Sequence, residues 1–526
     1  MGNHRNGFGM LAFVAAIFAI TLIFGAAPAS AAPQEDAAPA AAPAPAPAPA
    51  PAPKKGDTGF DPWGCNDCPP CDCDPYPCCT CREKKDPKCP AKYNNRRFLE
   101  NWRPCLCKPR CEMKDWSDRL KGMSLSGRLW MDVGGQVRFR WESWRNQGFG
   151  AAGAAANDSW LLARFRAHAD IHYGKFARVF IEGIWADQWD ERVLGARPVD
   201  INRGDFLNLF GEVMSDVGAG RGGLWGGRRE LQTGQQRLVS PLDWANTRRT
   251  FQGAGAWWKQ GFHEVEGWWT RPVVIDGDAI DEWNDNVSFS GINYRNTTMN
   301  CREWEAYVYH LDTKATATQI DQSRFTVGGL IDGRIPNTRF DWGAEAAYQF
   351  GDQAGADISA WMACVTFGWK PCTRHFDPRI GIGLDYASGD KDPNDGTAGT
   401  FNQLFPLGHK WLGHADIVGR QNIMAARIEG SLQLSKKLKF LAWYHGFWRA
   451  ETADALYSIG GGVTRPALGS TAREIGTELD LMLQLKIDRH WTAFIEWAHF
   501  FSGDFLKQTG PSEDVDVVYL SIQGTF

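Results

Sequence analysis

After residue 31 the chain lacks any hydrophobic run that approaches the roughly 20 apolar residues of a transmembrane helix. The mean hydropathy is −0.38, and we exclude a helical membrane protein. The sequence also contains neither HExxH nor GxSxG, the spacings that position a catalytic metal or an activated serine. The stretch from Asp390 to Gly396 resembles a calcium loop only superficially, because Asp395 stands where that loop needs glycine. We therefore expect no enzymatic activity, no cofactor and no metal site.

The N-terminus has the order of regions that is typical of a cleaved signal peptide. His4 and Arg5 precede an apolar stretch from Met10 to Phe24, and small residues follow at Ala29-Ser30-Ala31. The apolar stretch is short for a membrane span, which argues against an uncleaved anchor. No cysteine stands at the cleavage site, so a lipoprotein anchor is not expected. We predict a signal peptide over residues 1–31 and export across the inner membrane.

Residues 32–64 are predicted to be a linker. Residues 38–53 within it are almost pure Ala-Pro, a composition that forms an extended polyproline-type spacer and cannot build a core. Because the chain is exported, we place this linker in the periplasm.

Residues 65–122 form a cysteine-rich segment, also expected in the periplasm, which holds eleven of the fourteen cysteines between Cys65 and Cys111. A short exported segment with this density is typically stabilised by disulfides, because it cannot bury enough apolar surface. The spacing Cys65-x-x-Cys68-x-x-Cys71 also suits metal ligands. Disulfides are favoured, since thiols in an oxidising compartment are usually paired. Eleven is an odd number, and the connectivity stays open.

From residue 123 to residue 526 the chain alternates between apolar and polar residues with a period of two. Val137, Phe139 and Trp141 are apolar, whereas Arg138 and Arg140 between them are charged. Similar runs cover residues 163–172, 426–434 and 475–487. This period indicates β-strands with one apolar and one polar face. With 57 glycines and 25 tryptophans, the pattern suits a large antiparallel barrel with aromatic girdles.

The same alternation would occur in a soluble β-sandwich. The last strand distinguishes a membrane barrel from that alternative. Val518, Leu520 and Ile522 share a face with the terminal Phe526. A final strand that ends on an aromatic residue resembles the signal by which outer-membrane barrels are recognised for insertion. We predict a wide barrel that spans the outer membrane and encloses an aqueous lumen rather than a packed core.

Three blocks resemble the alginate-export porins. They are Gly234 to Pro241 with Asp243, Trp244, Asn246, Arg248, Arg249 and Phe251; Ser388 to Gly396 with Phe401, Leu404 to Pro406, Gly408, His409 and Gly419; and Tyr444 to Arg449 with Asp454 to Tyr457, His499 to Phe501 and Gly503 to Phe505. The resemblance spans about residues 136–526 and leaves residues 32–122 uncovered. It implies an antiparallel barrel of 18 strands that exports an anionic, alginate-like uronate polymer.

Arginines at inward-facing positions or in these blocks are the candidate contacts for such a polymer. Arginine binds carboxylates bidentately and stays charged, and weak repeated contacts allow a polymer to slide. The candidate pore-lining residues are Arg138, Arg140, Arg164, Arg166, Arg228, Arg237, Arg248 and Arg249, together with Asp170 and Glu182. The alternative is structural: these arginines pair with Glu142, Asp170, Glu182 and Glu230 in a network that rigidifies the wall.

Two rival functions stay open at the level of sequence. The barrel could be a general or sugar-uptake porin in which the arginines are structural. It could also be an anchor for the cysteine-rich segment, which would then tether the envelope. The expected partners are the anionic polysaccharide, outer-membrane lipid and, through the N-terminal segment, periplasmic export machinery or the cell wall. No nucleic-acid partner is expected.

Overall fold

The computed structural model describes residues 92–102, 115–191, 197–297, 302–317, 319–373 and 376–526. The predicted signal peptide, the predicted linker and all eleven clustered cysteines lie outside the described residues. Their cleavage, conformation and pairing therefore stay predictions. Of the other three cysteines, Cys364 and Cys372 are free thiols, the first buried and the second exposed.

Eighteen antiparallel strands form a closed barrel, which confirms the predicted fold. In chain order the strands are β1 (Leu129–Arg145), β2 (Asp158–Tyr173), β3 (Ala177–Trp189), β4 (Asn202–Val217), β5 (Gly220–Arg229), β6 (Phe251–Gln260), β7 (His263–Val274), β8 (Val287–Asn296), β9 (Arg302–Thr313), β10 (Gln322–Arg334), β11 (Phe340–Gln353), β12 (Ala356–Trp369), β13 (Arg379–Ala387), β14 (Ile423–Gln433), β15 (Leu438–Arg449), β16 (Glu474–Lys486), β17 (Trp491–Ser502) and β18 (Val515–Thr525).

The barrel closes where β1 pairs with β18, in a register that runs from Gln136 opposite Thr525 to Arg145 opposite Asp516. Closure satisfies every strand edge, as a membrane barrel requires. The smaller elements are strands Met123–Ser126, Glu282–Trp283, Thr397–Ala398, Leu456–Tyr457 and Val463–Arg465, helix α1 (Asp504–Thr509), and 3-10 turns at Arg97–Leu99, Trp116–Leu120, Gln147–Gly150, Gly153–Ala156 and Gly408–Lys410. Among the described residues, no helix is long and apolar enough to cross a membrane.

The two ends of the barrel differ in the length of their connections. Tight turns such as residues 218–219 and 261–262 join strands at the end where β1 begins and β18 finishes. The long connections 230–250, 388–422 and 450–473 lie at the other end. We refer to these as the short-turn end and the long-loop end. In outer-membrane barrels the short turns are periplasmic and the longer loops extracellular.

The outer and inner faces of the wall confirm the alternation read from the sequence. Phe139 and Trp141 are 39% and 40% exposed, whereas Arg138 and Arg140, which alternate with them, are buried. Apolar side chains therefore face outward and charged side chains face inward. A soluble protein has the opposite arrangement, because its apolar face must leave the water. The barrel wall is therefore most stable when its outer face is surrounded by lipid.

The expectation of an aqueous lumen rather than a packed core is wrong for part of the interior. Two long loops and the N-terminal segment fold into the barrel and form a buried apolar cluster with inward-facing wall residues. Phe98, Val239 and Phe401 are among the residues that these inserts bring to the cluster. The patterns of the strands could not reveal this filling, because the inserts come from connections that have no periodicity.

Candidate functional site: the barrel lumen

The connection between β5 and β6, residues 230–250, crosses the lumen from one wall to the other; we call it the crossing loop. On one side, Nη1 of Arg138 in β1 donates to the carbonyl of Asp243 at 2.8 Å. On the far side, Nη1 of the loop's Arg237 lies 3.0 Å from the Glu345 carboxylate in β11. The loop is therefore fixed at both ends by charge-assisted hydrogen bonds, which are among the stronger polar contacts in proteins.

Arg138 and Arg164 face each other across the β1–β2 pair and bind the same part of the crossing loop. Both guanidinium groups donate to the carbonyls of Asp243 and Ala245, at distances of 2.8–3.1 Å. Arg164 also reaches the Asp243 carboxylate at 2.9 Å. Within the described part of the chain, Arg138 has no carboxylate at ion-pair distance. Its positive charge is met only by neutral oxygens.

Two of the other candidate arginines form buried ion pairs with wall carboxylates. Arg140 lies 2.7 Å from Glu142, and Arg166 lies 2.9 Å from Glu182. Glu182 also accepts a hydrogen bond of 2.8 Å from Asn208. At these two positions the structure has the structural network that the sequence left as an alternative.

The crossing loop carries two further candidates, Arg248 and Arg249. Arg248 is paired with the carboxylates of Glu230 and Asp243. Arg249 is half-buried and donates to the carbonyl of Pro406 at 3.3 Å. Burial lowers the pKa of Arg249 to about 10, which leaves the side chain charged at neutral pH. Like Arg138, Arg249 has no carboxylate within ion-pair distance among the residues that the structure describes.

Arg228 lies apart from the other candidates. It stands opposite Leu209, which is 40% exposed on the outer face, and pairs with the Asp205 carboxylate. Its neighbour Arg229 points inward, with its guanidinium 4.9 Å from the ring of Trp225. Adjacent residues of a strand face opposite sides of a sheet, so an error of one residue in the assignment places a side chain on the wrong face of the wall. We leave Arg228 out of the lumen set.

A second inward loop, residues 388–422 between β13 and β14, packs against the crossing loop. Val239 and Phe405 form a parallel bridge, and the amide of Phe405 donates to the carbonyl of Leu238 at 2.8 Å. On the wall side, Arg420 of the second inward loop pairs with Asp385. The two loops are thus joined to each other and to the barrel, and together they divide the lumen.

The two loops meet in a stacked pair of rings, Trp244 and His409, which we call the constriction pair. Their ring centroids are 3.5 Å apart and nearly parallel, at 13°. The guanidinium of Arg140 lies 4.3 Å from the centroid of the Trp244 ring, and Tyr519 meets that ring edge-on at 5.0 Å. Contact with a cation and with two rings fixes the indole in position.

Neighbouring cavities lie in the described part of the lumen, and the constriction pair lines two of them. The outer cavity, of about 540 Å³, opens among the long loops and is lined by Arg140, Arg249 and Tyr519 as well as by the constriction pair. A middle cavity of about 290 Å³ shares Arg140, Trp244 and His409 with it. Shared lining residues place the two cavities on opposite sides of one partition.

The inner cavity, of about 400 Å³, lies nearer the short-turn end and shares Lys410 with the middle cavity. Its lining adds Arg379 and Arg427 to Arg237, beside the ring of Trp411. Sequence reasoning missed Arg379 and Lys410, although the alternation had already indicated that Arg427 faces inward. Burial lowers the pKa of Lys410 to about 8, and the nearby Arg237 adds to this effect.

Residues 92–102 enter the lumen from the short-turn end; we call them the inner plug. Oδ1 of Asn95 accepts a hydrogen bond of 2.8 Å from Arg248 of the crossing loop. Phe98 is only 1% exposed and packs edge-on against Phe180 and Phe210, at centroid distances of 5.7 and 5.3 Å. The inner plug therefore reaches the crossing loop inside the barrel.

Wall residues hold the inner plug at two further points. Arg178 donates to the carbonyl of Phe98 at 2.9 Å and lies 3.5 Å from Asp170, one of the predicted lumen carboxylates. Arg97 of the plug donates to the carbonyl of Phe526 at 2.7 Å and to that of Gly135 at 3.0 Å. These contacts connect the plug to the seam where the barrel closes.

A closed barrel with an apolar exterior, a charged interior and inward loops defines a porin-like channel. The model of the family described as alginate export matches residues 129–519. This protein is an outer-membrane channel that belongs to the alginate export family. The short-turn end is accordingly periplasmic.

Solved structures with a similar fold include three porins. OccD3 (OpdP) of Pseudomonas aeruginosa has 12% identity and a TM-score of 0.50, covering 75% of this chain and 91% of its own. OccK5 (OpdH) of the same organism has 11% identity and a TM-score of 0.50, covering 75% and 98%. OccAB2 of Acinetobacter baumannii has 12% identity and a TM-score of 0.50, covering 75% and 98%. At this identity the likeness concerns the fold alone. No curated protein gives a significant sequence match.

Proposed function

We propose that this channel exports an anionic polysaccharide, built of uronate residues, from the periplasm to the cell exterior. The observation that carries the proposal is the charge of Arg138 and Arg249, two lumen arginines met only by neutral oxygens among the described residues. A guanidinium without a carboxylate keeps its full attraction for an anion. The membership in the alginate export family supports the same class of cargo.

The cavities on either side of the constriction pair suit a polymer of charged sugars. The inner cavity offers Arg237, Arg379 and Arg427 to uronate carboxylates, and the outer cavity offers Arg140 and Arg249. Some of these cations are already paired with wall carboxylates. At those positions a uronate replaces one carboxylate partner by another, so the net gain in binding free energy is small. Weak repeated contacts of this kind let a polymer move from one cation to the next.

Export in this form requires the inner plug to leave the lumen, because Phe98 and Asn95 occupy the path from the short-turn end. The plug lies within the cysteine-rich segment, between Cys89 and Cys105. We propose that a periplasmic partner, either export machinery or the cell wall, acts on this N-terminal part and withdraws the plug. The cysteine-rich residues on either side of the plug then serve as the binding site for this partner.

Ion selectivity in planar bilayers tests the anionic cargo. The unmodified channel should favour anions, and uronate oligomers should block it at low salt. Added salt should relieve the block, since the screening length falls to about 3 Å at 1 M ionic strength. Arg138→Gln with Arg249→Gln should shift selectivity toward cations, and Arg228→Gln on the outer face is the matched control that should change nothing. Cation selectivity of the unmodified channel would contradict the proposal.

A general or sugar-uptake porin is the second candidate, and the buried pairs Arg140–Glu142 and Arg166–Glu182 favour it. In that case the arginines stabilise the wall and the solute can be neutral. Neutral oligosaccharides would then block the current as well as uronates of the same length. The same bilayer measurement thus separates the two functions.

A further inference from the structure

Six titratable side chains meet beside the constriction pair, where the second inward loop touches β15, β16 and β17. They are three carboxylates and three histidines: Glu478, Asp480, Glu496, His409, His414 and His445. All six are buried, and Glu478 and Glu496 have no exposed surface. None of them was singled out as a site by the sequence, because the loop histidines and the strand carboxylates are far apart along the chain.

This cluster differs in its charge balance from the rest of the lumen. Buried carboxylates elsewhere face arginine, as Glu142, Glu182 and Glu345 do. Within the described part of the chain, no arginine or lysine lies at ion-pair distance from the three carboxylates of the cluster, and the ion-pair partners of Asp480 and Glu496 are imidazoles. Buried carboxylates without a strong cation are costly. A bound cation would offset this cost.

The geometry of three of these side chains converges on one point. Ligand atoms of His409, His414 and Glu496 all lie within 4.8 Å of one another. Nε2 of His409 is 4.0 Å from Oε1 of Glu496, and Nδ1 of His414 lies against the same oxygen. Neither Nε2 of His409 nor Oε2 of Glu496 has a hydrogen-bond partner among the described residues. These are buried polar atoms aimed at a shared space.

A fourth residue orients the first histidine. Oδ1 of Asp416 lies 3.0 Å from Nδ1 of His409, so the imidazole presents its other nitrogen to Glu496. Metal-binding histidines usually have such a carboxylate partner, which fixes the tautomer and the ring and raises the basicity of the ligand. Asp416 is therefore a positioning residue for the site.

We propose that His409, His414 and Glu496 bind one divalent transition-metal ion, for which Zn²⁺ has the fitting preferences. Two imidazoles and one carboxylate form a nitrogen and oxygen set that Zn²⁺ accepts at about 2.0–2.2 Å. Small side-chain rotations bring the three ligand atoms to that distance. The ion ties the second inward loop to β17, and through His409 it holds the constriction pair. This inference does not depend on the nature of the transported polymer.

The test uses the full chain in detergent, with all thiols alkylated so that cysteines cannot bind metal, and with bound metal removed by a chelator. Titration with Zn²⁺ should find one equivalent. His414→Ala and Glu496→Gln should lose it, and Asp416→Asn should weaken the affinity about 10- to 100-fold. His172→Gln, which changes a histidine paired with Asp170 elsewhere on the wall, is the matched control and should bind as the unmodified chain does.

Heat-modifiable mobility in gels reports whether each variant still forms a barrel. If Glu496→Gln does not fold, Asp416→Asn decides the question, because it keeps all three ligands. Alkylated unmodified protein that takes up no Zn²⁺ would overturn the proposal, and so would Zn²⁺ affinity that is unchanged in folded Glu496→Gln or in Asp416→Asn. Substitution with Co²⁺ adds a visible spectrum that should be lost or altered in folded Glu496→Gln, and an identical spectrum in that variant would also count against the site.

Discussion

Trp244 and His409 stack face to face although 165 positions separate them in sequence, and they come from the two different loops that enter the lumen. Each ring has a separate anchor: the carbonyl of Trp244 accepts a 2.6 Å hydrogen bond from Arg140 of the wall strand β1, and His409 is oriented by Asp416 of its own loop. The partition between the outer and middle cavities is therefore one pair of side chains with a separate anchor on each side.

Replacing Trp244 by alanine should open this partition. The indole is the larger half of the stack, and its removal joins the outer cavity to the middle one while the backbone contact to Arg140 remains. We expect a higher single-channel conductance and no loss of barrel assembly. Phe494→Ala, which alters a neighbour of the indole at 6.0 Å, is the control and should have a smaller effect. A conductance unchanged by Trp244→Ala would show that the barrier lies elsewhere.

Replacing Phe98 by alanine should release the inner plug. Loss of a buried phenylalanine costs about 3 kcal/mol, which corresponds to a roughly 100-fold shift from the docked to the undocked plug. We expect longer or more frequent openings in bilayer recordings. Leu99→Ala changes a neighbouring side chain that is 44% exposed, and it should leave the openings as they are. Equal effects of the two variants would contradict docking through Phe98.

The loop of residues 275–286 should be better ordered in mild acid than in base. Burial raises the pKa of Asp281 from its usual value of 3.8 to about 7, and the nearby Asp205 adds to the effect. Because the pKa of Asp281 is higher in the folded state than in the unfolded state, its carboxyl group stabilises the folded loop fully at pH values below 3.8. This stabilisation is lost as the pH rises through about 7. Hydrogen exchange of this loop should therefore be slower at pH 5.5 than at pH 8.5.

Asp281→Asn is the matched variant for this measurement. An amide keeps an acceptor for the amide of Asp276, which now donates to Asp281 at 2.7 Å, but it cannot ionise. The difference in exchange between the two pH values, corrected for intrinsic rates, should shrink toward zero. A difference of the same size in Asp281→Asn would assign the effect to another group.

Deleting Phe526 should lower the yield of the heat-modifiable barrel. The backbone of Phe526 pairs with Gly135 through hydrogen bonds of 2.9 and 3.0 Å. Deleting Phe526 therefore removes the last pair of backbone hydrogen bonds between β1 and β18 as well as the aromatic ring. Phe526→Tyr keeps both these hydrogen bonds and a ring and should assemble normally. Wild-type yield after the deletion would contradict the role assigned to the terminal strand.

The wall could be predicted from the sequence because lipid and lumen impose a period of two on every strand. Arg138, Arg164 and Glu478 face inward as their alternation indicated. The count of 18 strands came from the family resemblance, since short turns blur the boundaries between neighbouring runs. Arg228 shows that alternation does not always identify the inward-facing residue, because here it is the neighbouring Arg229 that faces the lumen.

The contents of the lumen could not be predicted in the same way. His409 and His414 lie in a connection without periodicity, and only the fold brings them to Glu496. The sequence likewise predicted that the inner plug is part of a periplasmic segment, since no pattern in the sequence of residues 92–102 indicates that they are buried. Their burial depends on Phe180 and Phe210, which belong to strands whose own patterns fix only the side they face.

The bond from Arg97 to the carbonyl of Phe526 sets an order of events during biogenesis. Phe526 follows directly after β18, and its carbonyl takes this place only when β18 has paired with β1 and the wall is complete. The contact between Arg97 and Phe526 therefore forms only after the barrel has closed. Docking of the inner plug is consequently completed as a late step of assembly, inside a finished wall.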